Sequence, residues 1–229
     1  MRRKFQLVIV LLILLGVVAA AGKLSSYVTS EKVKKEEVQV VLDPGHGGRD
    51  PGKVGTDGTS EKDINLSIAK KVKARLEEND ITVIMTREKD SGLYSEDTDN
   101  KKAEDLKERV NLINETQPAL TVSIHQNSYS DVSVKGAQVF YYSHSKVSKA
   151  IADTMQEALR AADEDNTRQA KADATYYLLK KTEVPTIIVE CGFLSNAEDT
   201  ARLNDEEYQD AMAAAICDGI IEALETMEE

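Results

Sequence analysis

Cysteine, proline and tryptophan are scarce in this 229-residue chain, which holds two cysteines, four prolines and no tryptophan. Two cysteines exclude a disulfide framework as the means of stabilising so long a chain. The sequence shows no internal repeat and no low-complexity segment, which excludes repeat architectures. With 41% hydrophobic residues, the chain has the composition of one domain with a substantial core.

Positive charge is also in deficit, and the formal net charge is −11. Without the three basic residues at positions 2–4, 26 basic residues remain against 40 acidic ones, a charge of about −14. So acidic a chain is not expected to bind nucleic acid. It also has no long-range attraction to anionic wall polymers, so its localisation would depend on a membrane tether or a protein partner.

A long apolar run occurs near the N terminus, where residues 5–21 are apolar at all but one position and follow the basic residues. This pattern predicts an N-terminal apolar helix that acts as an export signal or a membrane anchor. The run is short for a spanning helix, and the alanines before Gly22 are typical of a cleavage site, so both outcomes stay open. We divide the chain into a signal or anchor (1–22), a linker (23–37) and one extracytoplasmic domain (38–229).

The stretch VQVVLDPGHGG, residues 38–48, is the feature around which we expect the domain to be organised. Its apolar run is typical of a strand buried on both faces of an α/β sheet. Proline and glycine then end the strand and place His46 at its carboxyl end, the edge where such sheets bind ligands. Alternatively, His46 is an incidental turn residue, and this stretch alone does not decide between the two.

The rest of the domain alternates apolar strands with amphipathic helices, which favours an α/β fold with parallel crossovers. A capping box formed by Ser60 and Asp63 is expected to begin the first helix. Four-residue spacing is expected to turn Val147 toward the core. We predict helices near residues 60–76, 103–115, 145–161 and 208–224, and further strands near 81–86, 119–124, 136–142 and 186–189.

Three more polar residues occupy positions comparable to that of His46. Glu61 falls in the first turn of a helix, His125 follows one apolar strand, and Glu190 follows another, ahead of a glycine turn. Each has an ordinary interpretation, as a helix-dipole partner or a strand-end polar group. Together they would meet His46 in one cleft. Two imidazoles and a carboxylate form a common catalytic zinc shell with one position left for water, and a further carboxylate can accept the proton of that water.

Five features occur in this order within about residues 38–225: DPGHGG (43–48), Glu61 at a helix start, Thr86 with Arg87, SIHQN (123–127) and VECGFLSN (189–196). As a set, they resemble the zinc-dependent N-acetylmuramoyl-L-alanine amidases of the amidase-3 family. The resemblance implies that His46, Glu61 and His125 are zinc ligands and that Glu190 is the catalytic acid/base. It also implies a mostly parallel twisted sheet with helices on both faces.

By this resemblance, the substrate is a peptidoglycan glycan strand with its stem peptide, and the bond cut joins N-acetylmuramic acid to L-alanine. Residues 85–88 and 102–106 are similar to a spore-cortex member of the family, which implies a role in forming muramic δ-lactam. Cys191 stands where the family more often has an aliphatic residue, and we interpret it as a packing residue. The short segment 128–135 leaves no room for a self-inhibiting insert, so regulation would come from an activating or localising protein partner.

Two other functions stay open at the level of sequence. A non-catalytic peptidoglycan-binding domain would keep the fold and bind no zinc, which a measurement of zinc content would reveal. A zinc carboxypeptidase acting on stem peptides would release single D-alanine residues instead of whole peptides, and product masses would distinguish it from the amidase.

Overall fold

The computed structural model describes residues 38–228, and the predicted apolar helix and linker, in residues 1–37, lie outside the described residues. Within the described range, no helix is long and apolar enough to cross a membrane. The elements in chain order are β1 (Val40–Pro44), α1 (Glu61–Glu78), β2 (Val83–Met85), α2 (Lys101–Thr116), β3 (Leu120–Asn127), β4 (Gln138–Tyr142), α3 (Lys146–Ala162), β5 (Lys171–Asp173), α4 (Tyr177–Lys181), β6 (Thr186–Phe193), α5 (Ala197–Leu203) and α6 (Glu206–Glu228).

Within the described residues, six strands form one sheet in the order β2-β1-β3-β6-β4-β5. Every neighbouring pair is parallel except β4 and β6, which are antiparallel. The prediction of an α/β fold with a mostly parallel sheet is therefore confirmed. In the centre of the sheet, β3 and β6 pair so that His125 lies opposite Glu190, and the register shifts just beyond this point. Two of the predicted site residues are thus direct neighbours across a strand pair.

Alternate residues of β1 enter two separate hydrophobic cores, which explains its continuous apolar sequence. Val40 and Leu42 pack with α1, α3 and α6 in the larger core. Val41 packs with α2 and α4 in a smaller one. All three side chains are fully buried. Because successive side chains of a strand point to opposite faces, helices cover the sheet on both faces.

The predicted glycine turn after Glu190 is wrong, because β6 continues through Gly192 to Phe193. The strand is held extended on both sides: Gln138 of β4 pairs with Glu190, and Asn127 of β3 pairs with Phe193. β3 likewise runs past its predicted end to Asn127. Glu190 and His125 therefore lie within strands, where ladder hydrogen bonds fix their backbones more firmly than a loop would.

Other local expectations also need correction. Ser60 is the N-cap of α1, but its side chain makes no capping hydrogen bond. Val147 is 51% exposed, because it lies in the first turn of α3, ahead of the buried Ile151 and Met155. The elements β5, α4 and α5 were not predicted. They have three to seven residues, too few for a hydrophobic period to show.

Candidate metal centre

The turn after β1 places His46 in a backbone conformation that few side chains adopt. Its φ is 62°, and Gly47 and Gly48 follow with φ of 137° and 59°. A positive φ costs a non-glycine residue of order 1–3 kcal/mol and persists only where the surroundings enforce it. The turn therefore needs support from the rest of the domain.

Two arginines, both buried, supply that support through the carbonyl groups of the turn. Arg109 donates from Nη1 to the carbonyl of Pro44 at 2.9 Å and from Nη2 to that of His46 at 2.6 Å. Arg87 donates from Nε to Pro44 at 2.9 Å and from Nη2 to the carbonyl of Gly45 at 3.0 Å. The guanidinium groups thus hold three consecutive carbonyls in place.

Asp43 balances the charge that Arg109 brings into the interior. Its carboxylate accepts hydrogen bonds from Arg109 Nη1 at 2.6 Å, Thr86 Oγ1 at 2.7 Å and Ser123 Oγ at 2.6 Å. Burial by itself would raise the pKa of Asp43, but the arginine and the two hydroxyls lower it to about 2. The first residue of DPGHGG is therefore an ionised structural group beneath the turn.

His46, Glu61 and His125 come together at the carboxyl edge of the sheet, as predicted. Glu61 Oε1 is 3.2 Å from His46 Nε2 and 2.9 Å from His125 Nδ1. One ligand atom from each of the three residues lies within 4.8 Å of the others. The two imidazole rings meet edge to face, with centroids 5.0 Å apart. Two imidazole nitrogens and a carboxylate oxygen are the donor set of many catalytic zinc sites, so these residues fit a zinc ion.

Neighbouring backbone groups hold the carboxylate of Glu61 in position. The amide of Lys53 donates to Oε2 at 2.7 Å, and that of Gln126 donates to Oε1 at 3.1 Å. Burial acts to raise the pKa of Glu61, but the hydrogen bonds and charges of the two histidines hold it well below its usual range. Glu61 is therefore an anion, the form in which a carboxylate binds a metal.

Two glycines leave the space that the ligand side chains occupy. A Cβ atom on Gly45 would collide with the imidazole ring of His125. A Cβ atom on Gly52, whose φ is 69°, would lie 2.8 Å from Cδ2 of His46 and 2.5 Å from Oε2 of Glu61. Because these glycines have no side chain, the ligand residues can approach closely, and the backbone can also form the turns.

Asp50 orients His46, a role that its place among turn residues did not reveal. Asp50 Oδ2 is 2.9 Å from His46 Nδ1, which leaves Nε2 directed at Glu61. Lys102 Nζ lies 3.7 Å from the same Asp50 oxygen. A carboxylate on the far nitrogen of a ligand histidine fixes both its tautomer and its ring orientation.

Glu190 lies beside the cluster, across the strand pair from His125. The residue is only 5% exposed, and burial raises the pKa of its carboxyl group to about 7. Oε1 accepts a hydrogen bond from the Tyr176 hydroxyl at 3.3 Å, whereas Oε2 is buried and has no hydrogen-bond partner among the described residues. A buried carboxylate with one unpaired oxygen and a pKa near neutrality is suited to taking up and releasing a proton.

Cys191 packs in the larger core, as expected, and His144 stands apart from the cluster. Cys191 is fully buried, and burial raises the pKa of its thiol, so it remains neutral. Neither cysteine forms a disulfide, and Cys217 is also buried. His144 is exposed and remote from the cluster in sequence and on the sheet, beyond the end of β4. Neither Cys191 nor His144 lines the cleft over the cluster, whose lining includes Lys102, Leu106 and Tyr176.

The sequence model of the Amidase_3 family, described as N-acetylmuramoyl-L-alanine amidase, matches residues 40–222. A germination-specific N-acetylmuramoyl-L-alanine amidase of Bacillus subtilis (strain 168) is 41% identical over 185 residues, which cover 80% of this chain and 78% of that protein.

Solved structures of amidases are also similar to this chain. The CwlD amidase from Clostridioides difficile, determined in complex with the GerS lipoprotein, matches with a TM-score of 0.79 and 41% identity, over 82% of this chain and 98% of that one. The N-acetylmuramoyl-L-alanine amidase AmiC2 of Nostoc punctiforme matches with a TM-score of 0.73 and 33% identity, over 82% of this chain and 98% of that one.

Proposed function

The chain belongs to the Amidase_3 family of N-acetylmuramoyl-L-alanine amidases, and from this premise we propose that it is a zinc enzyme that removes stem peptides from peptidoglycan. The bond hydrolysed is the amide between the lactyl group of N-acetylmuramic acid and L-alanine. The observation that carries the proposal is the convergence of His46, Glu61 and His125, with ligand atoms within 4.8 Å, beside the buried carboxylate of Glu190.

Zinc suits this donor set. His46 and His125 would each contribute one imidazole nitrogen and Glu61 a carboxylate oxygen, which leaves room for water and substrate. When bound there, zinc supplies a Lewis acid that lowers the pKa of water from about 15.7 toward about 7. Asp50 supports the assignment, because it fixes His46 in the tautomer whose Nε2 faces the cluster.

Glu190 is the general acid/base of the proposed reaction. It accepts a proton from the water that attacks the amide carbon and returns it to the leaving nitrogen of L-alanine. Its pKa of about 7 lets one group carry out both transfers near neutral pH. Direct hydrolysis is favoured over a covalent intermediate, because Cys191 is buried, neutral and out of contact with solvent.

Loss of activity on chelation is the first expected result. A strong chelator should abolish the release of peptide from peptidoglycan, and added zinc should restore it, because the protein ligands bind the metal reversibly and the chelator competes with them for it. A thiol-alkylating reagent should leave most of the activity, since both cysteines are buried. Mass spectrometry of muropeptides should show peptide-free glycan and stem peptides with an L-alanine amino terminus. Release of single D-alanine residues would instead indicate a carboxypeptidase. The absence of any product would indicate a binding domain.

We further propose that the enzyme acts on the outer side of a cell membrane during formation of the spore cortex. The name of the Bacillus subtilis relative, a germination-specific amidase, supports this setting. Removal of the stem peptide would expose the lactyl carboxyl group from which muramic δ-lactam forms. Cells that lack this protein should therefore make a cortex without δ-lactam. A cortex with normal δ-lactam content, determined by muropeptide analysis, would contradict this role.

We also propose that the enzyme has a protein partner. The CwlD amidase was determined in complex with a lipoprotein, and a partner of that kind would give this acidic domain the localisation that its own charge does not provide. Residues 5–21 would supply a membrane tether or, after cleavage, only the export signal. Co-purification of the full-length chain from sporulating cells, with fractionation of the membranes, tests both points.

A further inference from the structure

We propose that Tyr176 is a positioning residue for the reaction: its hydroxyl fixes the carboxylate of Glu190 so that one defined oxygen faces the reacting groups. This inference rests on the proposed function, because it concerns how the general acid/base of that reaction is oriented. Tyr176 lies immediately before α4 and lines the cleft over the metal cluster. Its phenol oxygen is 3.3 Å from Oε1 of Glu190.

The two oxygens of Glu190 differ in their surroundings. Oε1 accepts the hydrogen bond from Tyr176, and no other side-chain hydrogen bond to Glu190 occurs among residues 38–228. Within the same residues, Oε2 is buried and has no hydrogen-bond partner. A buried carboxylate oxygen without a hydrogen bond is costly and needs an explanation. The asymmetry is explained if Tyr176 occupies one oxygen and leaves the other for the proton of the attacking water.

Tyr176 is itself held firmly enough to orient a neighbour. Its backbone amide donates to Oδ1 of Asp173 at 2.9 Å, and its carbonyl accepts from the amide of Lys180 at 3.1 Å. The ring packs edge to face on Phe140, with centroids 5.5 Å apart, and is half-buried. Because backbone and ring are both fixed, the hydroxyl has a defined position relative to β6, the strand that carries Glu190.

The hydroxyl remains a hydrogen-bond donor throughout the working range of pH. Burial and the nearby carboxylate of Glu190 raise the pKa of Tyr176 above its ordinary value, so the phenol stays protonated. A protonated phenol can donate to Glu190 whenever that carboxylate is charged, and such a charge-assisted bond is stronger than a neutral one. The hydroxyl therefore acts on the form of Glu190 that accepts the proton.

The test is Tyr176→Phe, which removes the hydroxyl and leaves the ring on Phe140. We expect kcat to fall roughly 10-fold, as for the loss of one hydrogen bond to a charged group, with KM within about twofold, and with zinc content and melting temperature unchanged. Tyr142→Phe is the matched control, because Tyr142 packs against the same small core of Phe140, Leu179 and Ile188 but does not line the cleft. The control should retain normal kcat and KM.

A second comparison shows whether Tyr176 acts through Glu190. When Glu190→Gln is already present, adding Tyr176→Phe should change the residual rate of hydrolysis by less than about twofold. The effects of two groups that act as a unit on the rate are not additive. Overnight peptide release measures this residual rate. A full 10-fold further loss there, or a normal kcat for Tyr176→Phe alone, would overturn the inference while leaving an active zinc amidase. If the unmodified protein releases no stem peptide, the proposed function itself fails, which is a distinguishable result.

Discussion

Replacing His125 with alanine is expected to remove zinc from the purified protein and to reduce peptide release below detection. The variant keeps only His46 and Glu61 as ligands, too few to hold the metal against water. Elemental analysis of the dialysed protein gives the zinc content, and muropeptide analysis gives the activity. His46→Ala should behave in the same way, because each histidine contributes one of three donors.

Asp50→Ala provides the graded comparison for this prediction. Asp50 contacts His46 Nδ1 and is not itself a member of the ligand cluster. Loss of such an orienting carboxylate typically weakens metal binding or activity about 10- to 100-fold, without abolishing either. Stoichiometric zinc in His125→Ala would show that the ligand assignment is wrong.

Glu190→Gln is expected to retain zinc and to lower the rate of hydrolysis by about 10² to 10⁴. Glutamine has the same shape as glutamate, and its carbonyl oxygen can accept the hydrogen bond of Tyr176, so the site should keep its geometry. It cannot accept a proton from water at neutral pH, so only proton transfer is removed. The measurements are zinc content, melting temperature and the turnover number on purified peptidoglycan.

Glu157→Gln is the matched control, because it makes the same chemical change on the exposed face of α3. Its turnover should equal that of the unmodified protein. Near-normal turnover by Glu190→Gln would remove Glu190 from its proposed role, whatever the metal content.

The convergence of His46, Glu61 and His125 was predictable because each residue has a strong local signal. A proline and glycines end β1 just before His46, the apolar period of α1 places Glu61 in its first turn, and β3 carries His125 after a run of apolar residues. In a mostly parallel sheet, the carboxyl ends of the strands meet at one edge. Local pattern and fold class together therefore led to the cluster.

The supporting residues could not be predicted in the same way, because their roles depend on contacts distant in the sequence. Arg109 lies in α2 yet binds carbonyls of the turn after β1, and Asp50 has the appearance of an ordinary turn residue. Tyr176 lies between β5 and α4, two elements too short to show a hydrophobic period. The sequence around Gly192 predicts a turn, but the residue lies within β6. Pairing of β6 with its neighbouring strands sets this extended conformation, and a local pattern does not show it.

The two outer strands of the sheet bear on how the protein resists aggregation. β2 and β5 are the edges of the sheet, and each has only three residues. A short edge presents few unpaired backbone groups to a second molecule, and Lys171 on β5 is exposed, so a strand added there would meet a positive charge. The long strands that carry His125 and Glu190 are both interior. The segments most able to form intermolecular sheets are therefore the ones that folding encloses, which favours a domain that stays dispersed at high local concentration.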